Sequence, residues 1–476
     1  MGFVIMNEDP KPSCSLDEVS GQAEQPTPPV PDCPRFFERT DWLSFWITTA
    51  LVLAVYLYTL APEVTLEMSG ILTTAAMYGG VAHNPGFPLW TIYAWLFIKV
   101  LPFSNIAWRV AVSSAVAGAF ACGVIALMVS QGGAMILEGM RGFKRLEPKE
   151  ELLLRLVSGS VAGMGFGFNG VFWGLATVVD TLALGNLVFS VVLCLLVRWL
   201  YSPNRKRYLY AAFLVYGLAV SAHPTLIPAA LGLPFFVMFG DRKLGRELFF
   251  AAAILSTAVL AGNWTGSLPI FPDRASPIWA IYFWIGVLSA AMCIGLICLT
   301  RSFFTKWRPA VTAGLLSILG LSPYLYLPLA SMTNPPSNWG YARSVEGFVH
   351  VLTRGQYERI NPTNSFGRLG EQVWLYLGVA VGDVGWIYWL AALVPFCFLR
   401  RMCALERGVM LGLLSFYLCL SVFVLILLNP PSDRQASQLV APFFAPSHLI
   451  LAIWTGFGLI LLGTFLARER TKRRVI

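Results

Sequence analysis

Apolar stretches of about 18 or more residues recur along this chain, separated by short polar or basic links. Runs such as 51–60 and 248–260 show no alternation of apolar and polar positions, which a membrane barrel strand of about 10 residues requires. A chain in lipid must satisfy its own backbone hydrogen bonds, so these segments are read as helices. The pattern predicts an all-α integral membrane protein with about 12 transmembrane helices. They fall at 42–60, 107–135, 156–178, 181–199, 208–222, 225–240, 247–264, 278–299, 309–329, 373–399, 408–428 and 446–466. The apolar piece 88–103 is short and contains Lys99, and it is expected to lie along the membrane surface.

Two longer connections break the pattern, at 61–106 and 330–372. In the first, 70–80 predicts a short helix, and His83-Asn84-Pro85-Gly86-Phe87-Pro88 a rigid turn, since proline fixes backbone angles and glycine relaxes them. In the second, Val345, Phe348, Val349 and Leu352 recur at helical spacing.

Composition agrees: 57% of the residues are hydrophobic and 12% charged, against about a quarter charged in soluble domains. The net charge of +9 raises nucleic acid as a partner, but its distribution argues against one. Most of the 34 lysines and arginines fall on alternate links, among them Arg141, Lys144, Arg145, Arg205, Lys206, Arg207 and the tail from Arg468 to Arg474. That asymmetry is the membrane-orientation signal and places both termini in the cytoplasm. Residues 1–41 are proline-rich and polar without a signal-peptide core, so a disordered cytoplasmic tail is expected ahead of a polytopic membrane domain at 42–476.

The nine cysteines have no metal-site spacing, and no metal is expected. The chain holds no G-x-x-x-x-G-K-[ST], H-E-x-x-H or G-x-S-x-G sequence, which argues against an ATP-driven transporter in one chain. Few charges lie deep in the spans, which weakens the case for an ion-coupled pump.

With this orientation the two long connections, 61–106 and 330–372, face outward. So do all four histidines, His83, His223, His350 and His448, and the carboxylates Glu63, Glu67 and Asp180. Asp180 precedes a helix start, where a capping role and a functional role are both open. His223 is either an interfacial residue or part of a site. Arg343, Arg354 and Arg359 put positive charge where the orientation rule disfavours it. They suit phosphate, through the forked geometry of the guanidinium, or anionic lipid head groups.

The stretch from Glu63 to Leu89, the Ala107-Trp108-Arg109-Val110 sequence, Phe172-Trp173 with Asp180 and Asn186, and His223 form one set of landmarks. Tyr324-Leu325-Tyr326-Leu327-Pro328-Leu329 and Asn334-Pro335-Pro336 with Asn338-Trp339-Gly340 complete it. Together, over about 42–360, they resemble a bacterial family of multi-spanning proteins of unassigned function, related to the protein O-mannosyltransferases of the GT-C type. The family reads Asp-Ser-Gly-Glu where this chain has Met68-Ser69-Gly70-Ile71, so both carboxylates of that pattern are absent and Glu67 stands one position earlier.

The resemblance implies a GT-C-like bundle with juxtamembrane helices on the outer face, in a bacterial inner membrane with a periplasmic active face. It implies inverting transfer of a sugar from a polyprenyl-phosphate-linked donor to a hydroxyl of a protein or glycan acceptor. The lipid-linked sugar would be a substrate, and no cofactor is expected. Glu67, with Glu63 second, is the candidate base for the acceptor hydroxyl. Arg109, Arg354 and Arg359 are candidates to compensate the leaving phosphate, with His83 and His223 donating hydrogen bonds. Asp180, Asn338 and Trp339 complete the candidate donor site, Trp339 by stacking on the sugar. Two other readings stay open: a carrier or flippase for a lipid-linked sugar, and a non-catalytic scaffold that binds lipid phosphate.

Overall fold

Small residues let helices approach closely where lipid supplies no hydrophobic drive between them. The helix richest in them sits at the centre of this fold. In a computed structural model, α4 (Ile106–Glu138) runs for 33 residues, largely alanine, glycine, serine and valine, and 89% of its most apolar stretch is buried in protein. The structure describes residues 36–66, 68–140, 146–266, 277–355, 360–431 and 433–475, excepting the side chains of 434 and 468–475. Glu67 and Arg359 therefore lie outside the described residues, as does the expected tail up to residue 35.

Residues Phe37–Ile476 form one compact unit. Its helices are α1 (Arg39–Tyr58), α2 (Ser69–Tyr78), α3 (Pro88–Val100), α4, α5 (Pro148–Gly167), α6 (Gly170–Ala176), α7 (Leu182–Leu200), α8 (Lys206–Ala222), α9 (Gly232–Gly240), α10 (Arg242–Trp264), α11 (Pro277–Thr300) and α12 (Trp307–Gly320). There follow α13 (Tyr326–Met332), α14 (Val345–Leu352), α15 (Phe366–Val384), α16 (Trp386–Cys397), α17 (Ala404–Leu418), α18 (Val424–Leu428), α19 (Arg434–Val440) and α20 (Ala445–Val475). Around α4 pack α1, α5, α7 and α20. A side chain at Gly132 would meet Phe457 of α20, and one at Gly118 would meet Ala176 and Tyr56. By contrast only 17% of the apolar stretch of α11 is buried, so its side chains face outward, as suits lipid contact.

All twelve expected segments are helical, but fewer than twelve are long spans. Among the described residues, eight helices are long and apolar enough to cross a membrane, and two bent pairs raise the number to ten. The shortfall is 208–222 and 225–240. Helix α8 has 17 residues, a rise of about 25 Å against a hydrocarbon core of about 30 Å. The next segment starts as a 3-10 helix, Pro224–Leu231, before α9. Pro224, Pro228 and Pro234 each remove a backbone donor there. The bends have local causes as well. Asn169 caps α6 through Phe172 N–H after a break of 73° from α5, and Gly385, at φ 85°, turns the chain by 109° between α15 and α16. The short helices predicted in the two long connections are α2 and α14, and the apolar piece near 88–103 is α3.

Below the core, α1, α4 and α5 are locked by charge. Asp41, fully buried, accepts from Ser130 Oγ at 2.5 Å and from Arg155 Nη2 at 2.9 Å. Arg155 also reaches Glu38 and Gln131, both at 3.2 Å. Removing one member of a buried pair leaves the other uncompensated, at a cost of roughly 3–5 kcal/mol. Asp41→Ala is therefore expected to lower the melting temperature in detergent clearly, whereas Glu38→Ala, at an exposed carboxylate, is expected to lower it far less.

Candidate functional site

The backbone leaving α2 cannot continue as helix. Gly79 takes a left-handed φ of 63° and closes it. The next residues then need hydrogen-bond partners, and they find them in the second long connection. Val81 N–H donates to the Ser337 carbonyl at 2.8 Å, and Trp339 N–H donates to the Val81 carbonyl at 3.2 Å. The result is a parallel bridge between Val81 and Asn338. Ser337 Oγ donates to the same Val81 carbonyl, and the Tyr326 hydroxyl donates to that of Gly80, both at 3.1 Å. Glycine is required at 80 because a Cβ there would overlap the Ser337 carbonyl. Gly86, at φ 101°, is needed too, since a Cβ would lie 2.6 Å from Leu327. Val81, Leu327, Ala330, Ala342 and Val351 make a small apolar core beneath this joint.

The joint brings candidate residues together. The rings of His83 and Trp339 lie 5.2 Å apart. Phe87 stacks on His223 at 5.3 Å, and Phe443 lies 6.4 Å from the same imidazole. The end of α14 supplies the cation. Arg354 has a φ of 56°, a left-handed conformation that usually falls to glycine at this position. Its N–H donates to Val351 O at 3.3 Å and Gly355 N–H donates to His350 O at 2.9 Å, the paired bonds of a Schellman ending. The guanidinium acts on both imidazoles. Burial, then Arg354, pushes the His223 pKa down to about 3. Burial lowers that of His83 as well, opposed by its bond to the Asn84 carbonyl and aided by Arg354. Both rings are therefore neutral near pH 7.

Their tautomers differ. Thr225 N–H donates to His223 Nδ1 at 3.2 Å, so neutral His223 carries its proton on Nε2 and presents a donor. His83 Nδ1 lies 3.1 Å from the Asn84 carbonyl oxygen, so neutral His83 carries its proton on Nδ1 and presents an acceptor at Nε2. Toward a phosphate, His223 serves as it stands, and His83 serves only when protonated.

Other candidates have structural duties. Asp180 Oδ1 accepts from Leu182 N–H at 2.6 Å at the start of α7, and the Asp180 carbonyl accepts from Trp90 Nε1 at 2.9 Å and Ser114 Oγ at 3.1 Å. Residue 180 thus ties α3, α4 and α7 together. Arg109 donates to the carbonyls of Phe103 and Ser104 at 2.9 Å and of Ile98 at 3.4 Å, closing the turn between α3 and α4. Glu63 is exposed. Asn338 Nδ2 donates to Ser331 O at 3.2 Å, leaving its Oδ1 buried without a partner.

One polar group escaped the sequence reading. Asp383, inside the expected span 373–399, accepts from Val171 N–H at 2.9 Å through Oδ1 and meets His448 Nδ1 at 3.1 Å through Oδ2. Both side chains are buried. This pair fastens α6, α15 and α20 together, and only the tertiary contact reveals it.

Comparison with known proteins bears on the first half of the site. Residues 69–245 match the family described as the protein O-mannosyl-transferase TMEM260 N-terminal domain. The chain is 35% identical over 131 residues to protein O-mannosyl-transferase TMEM260 of Mus musculus, which covers 26% of this chain and 17% of the mouse protein. The chain is thus related to protein O-mannosyltransferases through the part that runs from α2 to α10. His83, Arg109, Asp180 and His223 fall inside the family match; Glu63, Glu67 and the second long connection fall outside it.

Two outcomes are expected from the geometry. Gly80→Ala forces Val81 away from Ser337, so limited proteolysis should cut the second connection faster while the protein still extracts as a folded species. His223 binds a proton below pH 6.5 in the unfolded chain but only near pH 3 in the folded one. Folded stability therefore falls as the pH drops from 6.5 toward 3, by up to about 1.4 kcal/mol per pH unit from this group. The His223→Gln variant should show a shallower fall in melting temperature between pH 6.5 and 4.5 than the parent.

Proposed function

We propose that the protein transfers a sugar from a polyprenyl-phosphate-linked donor to a hydroxyl of a protein or glycan acceptor at the outer face. The kinship with protein O-mannosyltransferases supports sugar transfer in general. The observation that supports the finer reading is the backbone joint between the two connections, which brings His83 against Trp339.

The chemistry follows from these groups. An acceptor hydroxyl attacks C1 of the sugar, and its proton passes to a base. The bond from C1 to the phosphate oxygen breaks with its electron pair, and the lipid phosphate leaves with its negative charge. Arg354 compensates that charge, with Nε2–H of His223 as a neutral donor and Arg359 as a second cation. The base is Glu67, which follows Thr65 and precedes Ser69; Ser69 Oγ is held to both the N–H and the carbonyl of Thr65 at 2.8 Å. Glu63 is the second candidate. Arg109 and Asp180 hold the helices that frame the site, and their part in donor binding is indirect.

Purified protein in detergent, given polyprenyl-phosphate mannose and a peptide rich in serine and threonine, should release polyprenyl phosphate and yield glycopeptide. Glu67→Gln should lower kcat by about 100-fold or more with little change in donor binding. Arg354→Gln should weaken donor binding by about 10-fold or more, since the lost hydrogen bond is to a charged group. Tight binding of polyprenyl phosphate with no turnover on any donor would instead make the protein a lipid-phosphate scaffold, and full activity in Glu67→Gln would remove that carboxylate from the mechanism.

A further inference from the structure

Among the described residues two spans are broken, α5–α6 by 73° and α15–α16 by 109°. A break frees backbone groups and puts a joint inside the membrane, where both need a reason. Here the two breaks meet at one side chain. Asp383 stands two residues before Gly385, the pivot of the second break, and its Oδ1 accepts from Val171 N–H, just past the first, at 2.9 Å. Its Oδ2 lies 3.1 Å from His448 Nδ1 on α20. An ionisable pair buried within spans is costly, and by default it marks a functional element.

Helix α15 has the build of a moving part. Apart from Asp383, its buried residues are Gln372, Tyr376 and Ala380, one line at a spacing of four. Phe366 is 92% exposed and Trp374 78%. Among the described residues, nothing lies within 4 Å of where a Cβ would stand at Gly367, Gly370, Gly378, Gly382 or Gly385. Gly385 takes φ 85° and ψ 142°, a conformation that glycine adopts at little cost. The seam beneath the helix is largely polar. The Tyr376 hydroxyl lies 3.0 Å from Ser447 Oγ and 3.1 Å from the Tyr417 hydroxyl. Gln372 Nε2 donates to Asn429 Oδ1 and to the Pro430 carbonyl, both at 3.0 Å. The apolar part is small, with Tyr376 and Ala380 set among Val424, Leu425 and Phe444 and Phe443 at its margin. Segments with few buried apolar contacts open at lower free energy than core helices.

We propose that α15 is a hinged flap, which turns about Gly385 as a rigid helix and is latched shut by Asp383 on His448. Phe443, at the margin of the seam, lies 6.4 Å from the His223 imidazole, so opening also frees one side of that ring. Through this contact the latch regulates the proposed donor site, a consequence that rests on the transferase reading. The hinge itself does not rest on it.

A hinge produces displacements that grow with distance from the pivot. Gly370 stands about 22 Å along the helix from Gly385, and Gly382 about 4.5 Å. Nitroxide-bearing amino acids at Gly370 or Gly382, each paired with one at Leu51 on α1, report this by pulsed electron resonance on the full chain in nanodiscs. Leu51 with Leu462 on α20 is the control pair, and all four positions are exposed. The parent is expected to give one distance from each pair. Asp383→Ala should add a second distance and raise the open-to-closed ratio about 10-fold or more, since it removes hydrogen bonds to a charged group. The shift should be about five times larger at Gly370 than at Gly382, with none in the control pair. Tyr376→Phe keeps the ring and its packing, and should populate the same second distance to a smaller extent; it carries the test if Asp383→Ala does not fold. The flap is overturned if both variants keep the parent's distances or if the shifts at Gly370 and Gly382 are equal. It is overturned too if the control pair shifts, which would make Asp383 a strut of the whole bundle. Glycopeptide formation is scored apart. Its absence beside a second distance would remove the transferase and keep the flap, while turnover without a second distance would do the reverse.

Discussion

Two backbone hydrogen bonds, Val81 to Ser337 and Trp339 to Val81, hold the two long connections together. Backbone that is not helical has to find partners within the protein wherever lipid or packing excludes water. Here the partners are 256 and 258 residues apart in the chain. That pairing aligns the turn from His83 to Pro88 with the segment from Asn334 to Trp339. It makes glycine obligatory at 80, where a Cβ would overlap the Ser337 carbonyl. The functional reading would have no common site to stand on if these two connections lay apart.

The helical bundle supplies a rigid base for this joint. Helix α4 is narrow enough in side chains to be surrounded, and its start and the start of α7 are held by a single residue, Asp180. At the other end the Asp41–Arg155 pair fixes α1 and α5 to it. Asp383 plays a comparable part for α6, α15 and α20, with both carboxylate oxygens committed. These polar ties give direction to helices that small residues merely allow to approach. By contrast α11 packs chiefly on α10 and is little buried, so the bundle is least constrained on that side.

Much of this was legible in the residues. Apolar periodicity gave the helical class and each of the segments, and the 3.6-residue spacing in 345–352 found α14. Length alone could not tell a crossing helix from α8 or from the proline-rich segment before α9, because hydropathy is blind to whether a backbone donor exists. Candidate residues were legible by type but not by partner. Arg109 reads as a free cation in the sequence, yet its guanidinium is consumed by three carbonyls. Asp383 reads as an unremarkable member of a span. Asn84 was visible only as part of a turn, since what distinguishes it is a buried amide without a hydrogen-bond partner, and a sequence does not display that.

The ending of α14 has a further consequence. Arg354 owes its direction to a left-handed main-chain torsion maintained by two bonds at the close of a helix only two turns long. The placement of its positive charge is therefore tied to whether that last turn is wound. Fraying by a single residue would release that torsion and with it the direction in which the side chain of Arg354 leaves the helix. The winding of a short helix and the bearing of its terminal cation are in this way a single event.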